Sequence, residues 1–396
     1  MKTWFILLLM TTLCLPLDGA LAQSNNNQDG WLKRAQLGPY APKKQDWEAI
    51  KAAARKEGKV VIYSVSSRIF RLQKEFKEKF GVEIEAYDIA SDTQLEKFRR
   101  EHRAGVYNVD VLFNNESPML LNEFLPKKQV WNFVPESVVR YLEKDEMTPF
   151  LVQRWSSRVV MFNGERNPTP PINNLWDMTR KEWKGKVLIP NPIEGSVMAN
   201  TFQTILQYPD AMAEAYKQAF GEPVTFSEKL LRLTKKSSVL APPDAAKEWL
   251  ARLMENSVFL ESTDKIFQMI GDVKQTQPPI GINTFSKIRD NKAGVWDARP
   301  AYNVKPAFGV SYPTVMVIAD RAGHPNAAKL LIRYMIEEGY EPWNEPGDYA
   351  SRSDIVKSQV SQFGIPPFDE LKMWKIDPVH VYDTRFSFVE LFLGLR

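Results

Sequence analysis

The sequence is poor in the side chains that bind transition metals or act as thiol nucleophiles. Cysteine occurs once, at Cys14, and the three histidines are His102, His324 and His380. No two histidines stand at a metal-ligand spacing, and no Gly-x-Ser-x-Gly motif occurs. A chain without Cys14 can hold neither a cysteine zinc site nor a cysteine nucleophile. These shortages argue against a hydrolase with a serine or cysteine nucleophile.

The sequence also lacks an apolar run long enough to span a bilayer. The most apolar stretch, Trp4 to Leu17, is shorter than the roughly 20 residues that a transmembrane helix needs. It lies before Ala20-Leu21-Ala22, so we predict a signal peptide over residues 1–22 that is cleaved before Gln23. Cleavage would export the protein to the periplasm and remove Cys14, which suits an oxidising compartment. A membrane anchor and a lipoprotein are the alternatives.

The chain carries no strong excess of charge of either sign. Its formal net charge is +4, and both signs are interspersed. The predicted signal peptide contains Lys2 and Asp18, so its removal leaves the net charge unchanged. Short basic pairs such as Lys127-Lys128 and Lys235-Lys236 are typical of solvated turns rather than of a track for phosphates. We therefore expect no nucleic-acid partner.

Glycines and turns divide the rest of the chain into alternating helical and strand-like segments. Asp46 to Glu57 has helical spacing and stops at Gly58, and Val60 to Ser64 is typical of a buried parallel strand. This alternation implies parallel sheets with helices on both faces. Phe150 to Asn163 is β-rich and interrupts the alternation, so we interpret it as the crossing between two lobes. The other predicted helices are 70–80, 91–103 with Ser91-Asp92 as N-cap, 117–124, 176–183, 196–208, 211–220, 245–256 and 324–336, and the other predicted strands are 82–87, 109–113, 187–190, 259–261, 279–283 and 307–319.

Four stretches resemble the periplasmic solute-binding proteins of ABC importers, in the branch that includes ferric-iron binders. Glu57 to Ser64 is similar to the first strand of that family, and Gly105 to Phe113 is similar to its third strand. Ile280 to Asn283 resembles the strand that leads to the ligand in the second lobe. Val315 to Ile318, followed by His324 to Lys329, resembles its late strand and helix. The four occur in the family's order, which makes the combination more specific than any one stretch.

The resemblance implies an α/β, two-lobe periplasmic binding protein fold of type II. Each lobe would hold a mainly parallel sheet flanked by helices, with a ligand cleft between the lobes that closes by hinge motion. A chain of 396 residues is long enough for two such cores. The implied boundaries are a leader over 23–45, a first lobe over 46–155 plus 314–340, and a second lobe over 156–313 plus 341–396.

Polar residues follow the predicted strands at the ends where parallel sheets bind ligands. Hydroxyls and a guanidinium after the first strand would suit a carboxylate, phosphate or sulfonate. Amides follow the third strand, and a candidate anion cradle lies at a helix start in the second lobe. Capping of the next helix is the structural alternative in each case. The candidate ligand-binding residues are Ser66, Ser67, Arg68, Asn114, Asn115, Asn191, Gly195, Ser196, Asn283, Thr284 and Phe285.

The residues after Asn283 distinguish this chain from typical ferric binders. The resemblance implies two adjacent tyrosines near this point, because phenolates are hard donors suited to a hard trivalent ion. Phe285 and Ser286 stand there instead, and no histidine follows the first strand. Tyr302 and Tyr312 are not adjacent, and we interpret them as packing residues. We therefore expect no metal ligands and no cofactor, and an anionic organic solute as the ligand.

Together with the resemblance, the sequence predicts a monomeric periplasmic binding protein, not an enzyme, that captures a small anionic solute. It would deliver this solute to the permease of an ABC importer. Phosphonates, sugar phosphates, sulfonates, carboxylates and oligosaccharides all stay open as ligands. Ferric iron held with a synergistic anion is the main alternative, and a periplasmic enzyme or a sensor on this fold are two others. Further residues that could line the cleft are Trp155, Arg158, Trp296, Arg299, Tyr302 and the loop Gly347 to Asp354 with Arg352.

Overall fold

A computed structural model describes residues 28–396 of the chain. Residues 28–43 belong to a compact unit of their own, with residues 28–35 helical and a 3-10 turn over Gly38–Tyr40. In this unit the Tyr40 hydroxyl donates to a carboxylate oxygen of Asp29 at 2.9 Å. The predicted signal peptide, with Cys14, lies outside the described residues. Over residues 28–396, no helix combines the length and the apolar character that crossing a membrane requires.

Twelve strands in the unit Lys44–Arg396 join in one sheet. They are β1 (Lys59–Ser64), β2 (Glu83–Asp88), β3 (Val111–Asn114), β4 (Val130–Trp131), β5 (Leu151–Asn163), β6 (Val187–Pro190), β7 (Ser257–Leu260), β8 (Ile280–Thr284), β9 (Ala298–Pro300), β10 (Gly309–Ala319), β11 (Tyr349–Ala350) and β12 (Met373–Lys375). The main path of the sheet is β2-β1-β3-β10-β5-β8-β6-β7. β1 pairs in parallel with β2 and β3, and β6 pairs in parallel with β7 and β8. We call these two parallel groups, with their helices, the first half and the second half.

Helices connect and flank the strands of both halves, as the alternation predicts. The α-helices are α1 (Trp47–Glu57), α2 (Gln73–Phe80), α3 (Ser91–Arg103), α4 (Ser117–Met119), α5 (Lys144–Met147), α6 (Ser196–Leu206), α7 (Pro209–Phe220), α8 (Glu228–Lys236), α9 (Ala245–Asn256), α10 (Thr263–Gly271), α11 (Pro325–Ile336), α12 (Ser353–Phe363) and α13 (Pro378–Leu395). A π-turn, Leu120–Phe124, continues α4. The 3-10 turns are Ser67–Leu72, Val139–Tyr141, Leu175–Thr179, Lys181–Trp183, Phe285–Asp290 and Glu338–Trp343.

Two long antiparallel strands join the halves. β5 pairs with β10 along most of its length, with a bulge between Thr314 and Val315. On their other sides, β10 pairs with β3 of the first half and β5 pairs with β8 of the second half. The segment Phe150 to Asn163 is therefore a strand, as predicted, and β5 and β10 lie in the sheet between the two parallel groups, whereas its role as a crossing between lobes stays a prediction.

Local sequence chemistry explains where the first helices begin and end. The Asp46 carboxylate caps α1 by accepting a hydrogen bond from the Ala49 amide at 3.0 Å. α1 ends at Gly58 and α2 ends at Gly81, both in the left-handed region that glycine adopts without strain. Both helix ends agree with the prediction.

A buried aspartate anchors the late helix to the first half. Asp110 accepts hydrogen bonds from the Val61 amide of β1 at 2.7 Å and from the His324 amide at 2.8 Å. The His324 ring lies 2.9 Å from the same carboxylate, and this hydrogen bond is the main reason that the pKa of His324 is raised. His324 is therefore bound to a structural carboxylate at the start of α11.

Some predictions of local structure are wrong. Ser91 does not cap α3: the N-cap is Ala90, and the Ser91 hydroxyl instead donates to the side chain of Asn115. The segment predicted as a helix over 70–80 begins as a 3-10 turn, and the segment over 176–183 is two 3-10 turns rather than an α-helix. The prediction also missed α8 and α10 and gave no bounds for α13.

The boundaries of the lobes stay a prediction. The tail after 341, assigned from the resemblance to the second lobe, has contacts in both halves. β11 pairs with β5 and β12 pairs with β10, whereas α13 packs on α6 of the second half and on α4 of the first. The tail therefore runs across the crossing strands instead of belonging to one side.

Candidate functional site

Arg68, a predicted ligand-binding residue, lies just after β1 and is held by two carboxylates. Its guanidinium group binds Glu345 through Nη2 and Asp348 through Nη1, the latter at 3.5 Å. The side chains of Arg68 and Glu345 are 14% and 16% exposed. This burial excludes the alternative in which Arg68 points to water.

An arginine of the second half binds the same carboxylate. Arg289, in the 3-10 turn after β8, contacts the Glu345 oxygen that Arg68 also contacts, at 3.1 Å. Because Arg68 follows β1 and Arg289 follows β8, a single carboxylate oxygen joins the two halves. An anion in this position can be bound from both sides at once.

The crossing strand β5 adds two more arginines. Arg154 Nε lies 3.6 Å from Asp348 Oδ2, and the Ser156 hydroxyl donates to Asp348 Oδ1 at 2.6 Å. Arg158 follows on the same face of the strand and donates to the Thr284 hydroxyl at 2.5 Å. We call Arg68, Arg154, Arg158, Arg289, Glu345 and Asp348 the arginine cluster.

The arginine cluster contains four guanidinium groups and two carboxylates, and Asp290 lies beside it as a third carboxylate, 3.5 Å from Arg289. Burial lowers the pKa of Arg68, although Asp348 and Glu345 act in the opposite direction. Burial also raises the pKa of Glu345 in spite of the neighbouring Arg68 and Arg289. Since burial is the largest cause of both shifts, these charges are poorly solvated and interact strongly with an added ion. The excess of positive charge favours an anion.

The loop that carries Glu345 and Asp348 lies directly against the end of β8. Gly347 has a φ of 84°, a conformation that other residues rarely adopt. A Cβ added at Gly347 would lie 2.8 Å from the carbonyl carbon of Phe285 and 2.8 Å from its Cγ. The position therefore requires glycine, and it fixes the distance of both carboxylates from the arginines.

Gly347→Ala should reduce the free energy of unfolding by roughly 3 kcal/mol, because it combines backbone strain with a steric clash. Gly58→Ala is the matched control. Gly58 has a φ of 77° but no atom within 4 Å of an added Cβ, so we expect a loss of about 1 kcal/mol from strain alone. Urea unfolding of both variants measures the difference, and equal losses would contradict the assigned packing.

Ser66 and Ser67 differ in their surroundings. The Ser66 hydroxyl accepts a hydrogen bond from the Trp343 indole at 3.1 Å, and its amide donates to Ser64 Oγ at 3.1 Å. Ser67 is exposed at the start of the 3-10 turn. Ser66 thus helps to place the segment that leads to Glu345, and a ligand role for either serine stays a prediction.

The two amides after β3 are engaged within the first half. Asn114 is fully buried, donates to the Gln94 side chain at 2.9 Å and accepts from the Glu116 amide at 2.6 Å. Asn115 accepts from the Ser91 hydroxyl. These bonds shape the turn that presents Glu116 to the second half, and a direct ligand contact by either asparagine stays a prediction.

The predicted anion cradle of the second half is used by a carboxylate of the first half. Asn191 accepts from the Ile193 amide at 3.2 Å and donates to Glu194 at 2.7 Å, which forms the turn before α6. Gly195 is the N-cap of α6, and the Ser196 amide donates to Asp92 Oδ2 at 3.2 Å. The helix start therefore does bind an anionic group, as its dipole favours.

Glu116 forms a second contact between the halves. Asn200 of α6 donates its side-chain amide to the Glu116 carboxyl group. Burial raises the pKa of Glu116 to about 8, and Asp92 adds to this effect, whereas the Asn200 and Ser196 side chains oppose it. Glu116 is therefore largely neutral at pH 7.

A cavity of about 320 Å³ lies beside Glu116, between α3 and α6. Its size suits a small organic molecule. Residues of α13 also line the cavity, so the C-terminal tail forms one of its walls. Polar side chains on its lining include Asp92, Glu116, Ser196, Asn200, Tyr382 and Arg385.

The residues after β8 are placed by internal contacts. The Asn283 amide donates to the Thr263 carbonyl at 2.9 Å, and the Thr284 hydroxyl accepts from Arg158. Phe285 is fully buried, with its ring edge-on to Phe308 at 5.4 Å between centroids. Phe285 packs against Gly347, next to the carboxylates of the arginine cluster, and its ligand role stays a prediction.

Tyr302 and Tyr312 do not replace the expected pair of phenolates. Burial raises the pKa of Tyr302 to about 12 and also raises the pKa of Tyr312, which disfavours the ionised form that binds ferric iron. Ser286, at the position of the second expected tyrosine, is buried. Within residues 28–396, no three His, Cys, Asp or Glu side chains are grouped so that they could hold a metal ion.

The remaining candidates have structural partners. The Trp155 indole donates to Glu146 at 2.9 Å, and the Trp296 ring packs edge-on to Phe267. Arg299 binds Asp297 at 2.7 Å and Arg352 binds Asp354 at 2.6 Å. For Arg352 this ion pair is the structural alternative to a ligand contact, and for Arg299 the alternative, a surface arginine, agrees with its exposed side chain.

Sequence reasoning missed several residues that the fold brings to the site. Arg154 gives a visible signal, because it is a charged residue within the β-rich crossing strand. Arg289, Glu345 and Glu116 give no such signal in the sequence. Glu345, for example, is paired with Arg68, which lies far from it along the chain. The resemblance did point to the late loop, of which Gly347 and Asp348 belong to the site.

Comparison with solved structures places the chain among known architectures. Iron-bound HitA from Pseudomonas aeruginosa is similar over 85% of this chain and 99% of its own length, with a TM-score of 0.61 and 14% identity. The ferric binding protein from Campylobacter jejuni covers the same shares, with a TM-score of 0.60 and 13% identity. This chain has the type II periplasmic binding protein fold. The predicted fold class is thereby confirmed.

A third structure with the periplasmic binding protein fold is IdiA (FutA) from Trichodesmium, in complex with iron and citrate ligands. It covers 85% of this chain and 99% of its own, with a TM-score of 0.54 and 13% identity. No protein-family model matches the sequence, and no curated protein is significantly similar to it. The arginine cluster and the cavity each contain residues of both halves of this chain.

Proposed function

We propose that this chain is an exported binding protein of the periplasm that captures a small anionic solute for an ABC importer. The observation that carries the proposal is the Glu345 carboxylate, which Arg68 of the first half and Arg289 of the second half bind through the same oxygen. A carboxylate, phosphate or sulfonate that exchanged with Glu345 would be bound by both halves. Such a ligand would hold the halves closed.

The charge balance of the site supports an anion over a neutral ligand. Arg68, Arg154 and Arg289 are paired with Glu345, Asp348 and Asp290, and Arg158 binds only the Thr284 hydroxyl. Glu116 is largely neutral at pH 7 because its burial raises its pKa to about 8. An added anion therefore meets a positive potential that buried acids do not cancel. Glu345 and Asp348 keep the arginines paired when no solute is bound, which avoids the penalty of burying unpaired charges.

Ferric iron with a synergistic anion is the second candidate, because HitA and IdiA are iron-bound proteins of this fold. The side chains after β8 argue against the usual phenolate pair, since Phe285 and Ser286 have no phenolate oxygen and are both buried. A ferric citrate complex recognised through its citrate carboxylates remains compatible with the arginine cluster. The transport role is the same in both cases.

We further propose that the chain is not an enzyme. Two of its three histidines lie within hydrogen-bond reach of a buried aspartate, His324 with Asp110 and His102 with Asp320. Neither pair includes a nucleophile, and the cluster carboxylates Glu345 and Asp348, which have the chemistry of general bases, are both bound by arginines. Hydrolysis of ester, phosphate or glycoside reporters by the purified protein would contradict this.

A thermal-shift screen with native mass spectrometry tests the transport proposal. Phosphonates, sugar phosphates, sulfonates, carboxylates, oligosaccharides and ferric citrate are added singly to the purified protein. A ligand at a hundred times its Kd should stabilise the protein by about 2.7 kcal/mol, since it binds the folded state alone. Stabilisation by a neutral oligosaccharide alone would reject the anionic ligand, and no stabilisation by any compound would reject the proposed capture role.

A further inference from the structure

The C-terminal helix α13 is apolar on two separate faces. One face is buried against the rest of the chain and consists of Val381, Phe388, Leu391, Phe392 and Leu395. The other face carries apolar side chains that are partly or largely exposed, among them Phe386 at 72% and Leu393 at 53%. We call Val379, Tyr382, Phe386, Val389 and Leu393 the outer stripe.

The outer stripe has the spacing of a helix that packs against another helix. Its members are separated by three, four, three and four positions, which is the a and d pattern of a heptad repeat. A helix on a protein surface usually presents polar residues to water. Exposed apolar patches of this kind mark interaction sites.

Charged residues beside the stripe distinguish the possible arrangements. Arg385 takes the g position before Phe386, and Asp383 and Glu390 take e positions. In a parallel pair of α13 helices, Arg385 of each copy would face Glu390 of the other. This arrangement gives two ion pairs, each between an arginine and a glutamate. An antiparallel pair would place Asp383 opposite Glu390, and two acids would repel each other.

Arg385 is already positioned at the edge of the stripe. Its guanidinium group lies over the rings of Tyr382 and Phe386, at 3.7 Å and 4.4 Å from their centroids. This places a positive charge on the apolar surface, where a neighbouring helix would approach it. The acidic Glu390 is exposed on the other flank of the stripe.

We propose that the outer stripe is a homodimer interface, in which the α13 helices of two copies pack in parallel about a twofold axis. The occupant that completes the apolar face is thus a second copy of this chain. The proposal replaces the monomer expected from the sequence. The proposal does not use the arginine cluster, although Tyr382, Arg385 and Val389 also line the cavity between α3 and α6.

Sedimentation velocity of the purified chain over a range of micromolar concentrations tests the dimer. The wild type should show a concentration-dependent dimer, and Val389→Glu should weaken dimerisation by at least about tenfold. Val139→Glu is the matched control, because Val139 has a similar exposure, 43% against 39%, but lies outside α13. Circular dichroism verifies that both variants fold.

A charge exchange tests the parallel arrangement. Arg385→Glu alone and Glu390→Arg alone should each weaken the dimer, and the double variant should restore it. Glu390 is exposed and Arg385 is half-buried, and circular dichroism verifies that these variants fold, so they test the dimer even when Val389→Glu does not fold. A monomer at every concentration, a dimer insensitive to the stripe variants, or monomeric binding to anionic lipid vesicles through the stripe would each overturn the proposal.

Discussion

Glu116→Gln should stabilise the protein increasingly as the pH rises. The difference in free energy of unfolding between variant and wild type should widen by an amount on the order of 4 kcal/mol between pH 4 and pH 9. This follows because the pKa of Glu116 is raised from 4.5 in the unfolded chain to about 8 in the fold, mainly by burial. Glutamine keeps the amide contact with Asn200 but has no charge to bury.

The sign of this effect follows from proton binding. Below pH 4.5 both states of the wild type carry the proton on Glu116, so the group adds no pH dependence. Between pH 4.5 and about 8 the unfolded chain has lost the proton and the folded chain retains it, so stability falls as the pH rises. Above about pH 8 the loss is complete.

Urea unfolding at several pH values measures the difference. Glu214→Gln is the control, since Glu214 is exposed on α7 and its removal should leave the pH dependence of stability unchanged. A constant difference between Glu116→Gln and wild type from pH 4 to pH 9 would show that folding does not raise the pKa of Glu116. That result would also weaken the proposed charge balance of the site.

Arg68→Ala should weaken the binding of an anionic solute by about 1.5–3 kcal/mol, which corresponds to a Kd larger by roughly 10- to 150-fold. The reason is that Arg68 is one of two arginines that bind the same anionic oxygen from opposite halves. Isothermal titration with the best ligand of the thermal-shift screen measures the change. The outcome separates a ligand-binding Arg68 from one that only pairs with Glu345.

Two controls accompany Arg68→Ala. Arg232→Ala removes a guanidinium group whose side chain is 72% exposed on α8, so it should leave the affinity unchanged. Glu345→Gln removes the carboxylate that occupies the arginines, so it should strengthen the binding of the anion. Unchanged affinity in Arg68→Ala would remove Arg68 from the site, and weaker binding in Glu345→Gln would show that Glu345 does not compete with the ligand.

Much of the fold could be predicted because its signals are local. Gly58 and Gly81 end helices in a left-handed conformation that glycine adopts without strain, and the β-rich segment from Phe150 to Asn163 identifies the crossing strand. The bounds of α13 were not predicted, because its apolar residues lie on two faces of the helix and do not form a single apolar face. The 3-10 turn after Ser66 was missed because its six residues are too few to show a helical periodicity.

The candidate site could be predicted only in part. The position of Arg68 after a buried strand pointed to a cleft, and this placement agrees with the structure. Its partners Glu345 and Asp348, and the second arginine Arg289, carry no local mark of that role. Their contacts arise because the tail returns to the crossing strands.

By itself, the sequence determined the alternation of strands and helices, the crossing between two halves, and the lack of a thiol outside Cys14. These features depend on residue type and on spacing over a few positions. The tertiary structure alone decided that Glu345 joins Arg68 to Arg289, and that Glu116 is buried enough to keep its proton. Both depend on desolvation and on contacts between distant segments, which no short window of sequence contains.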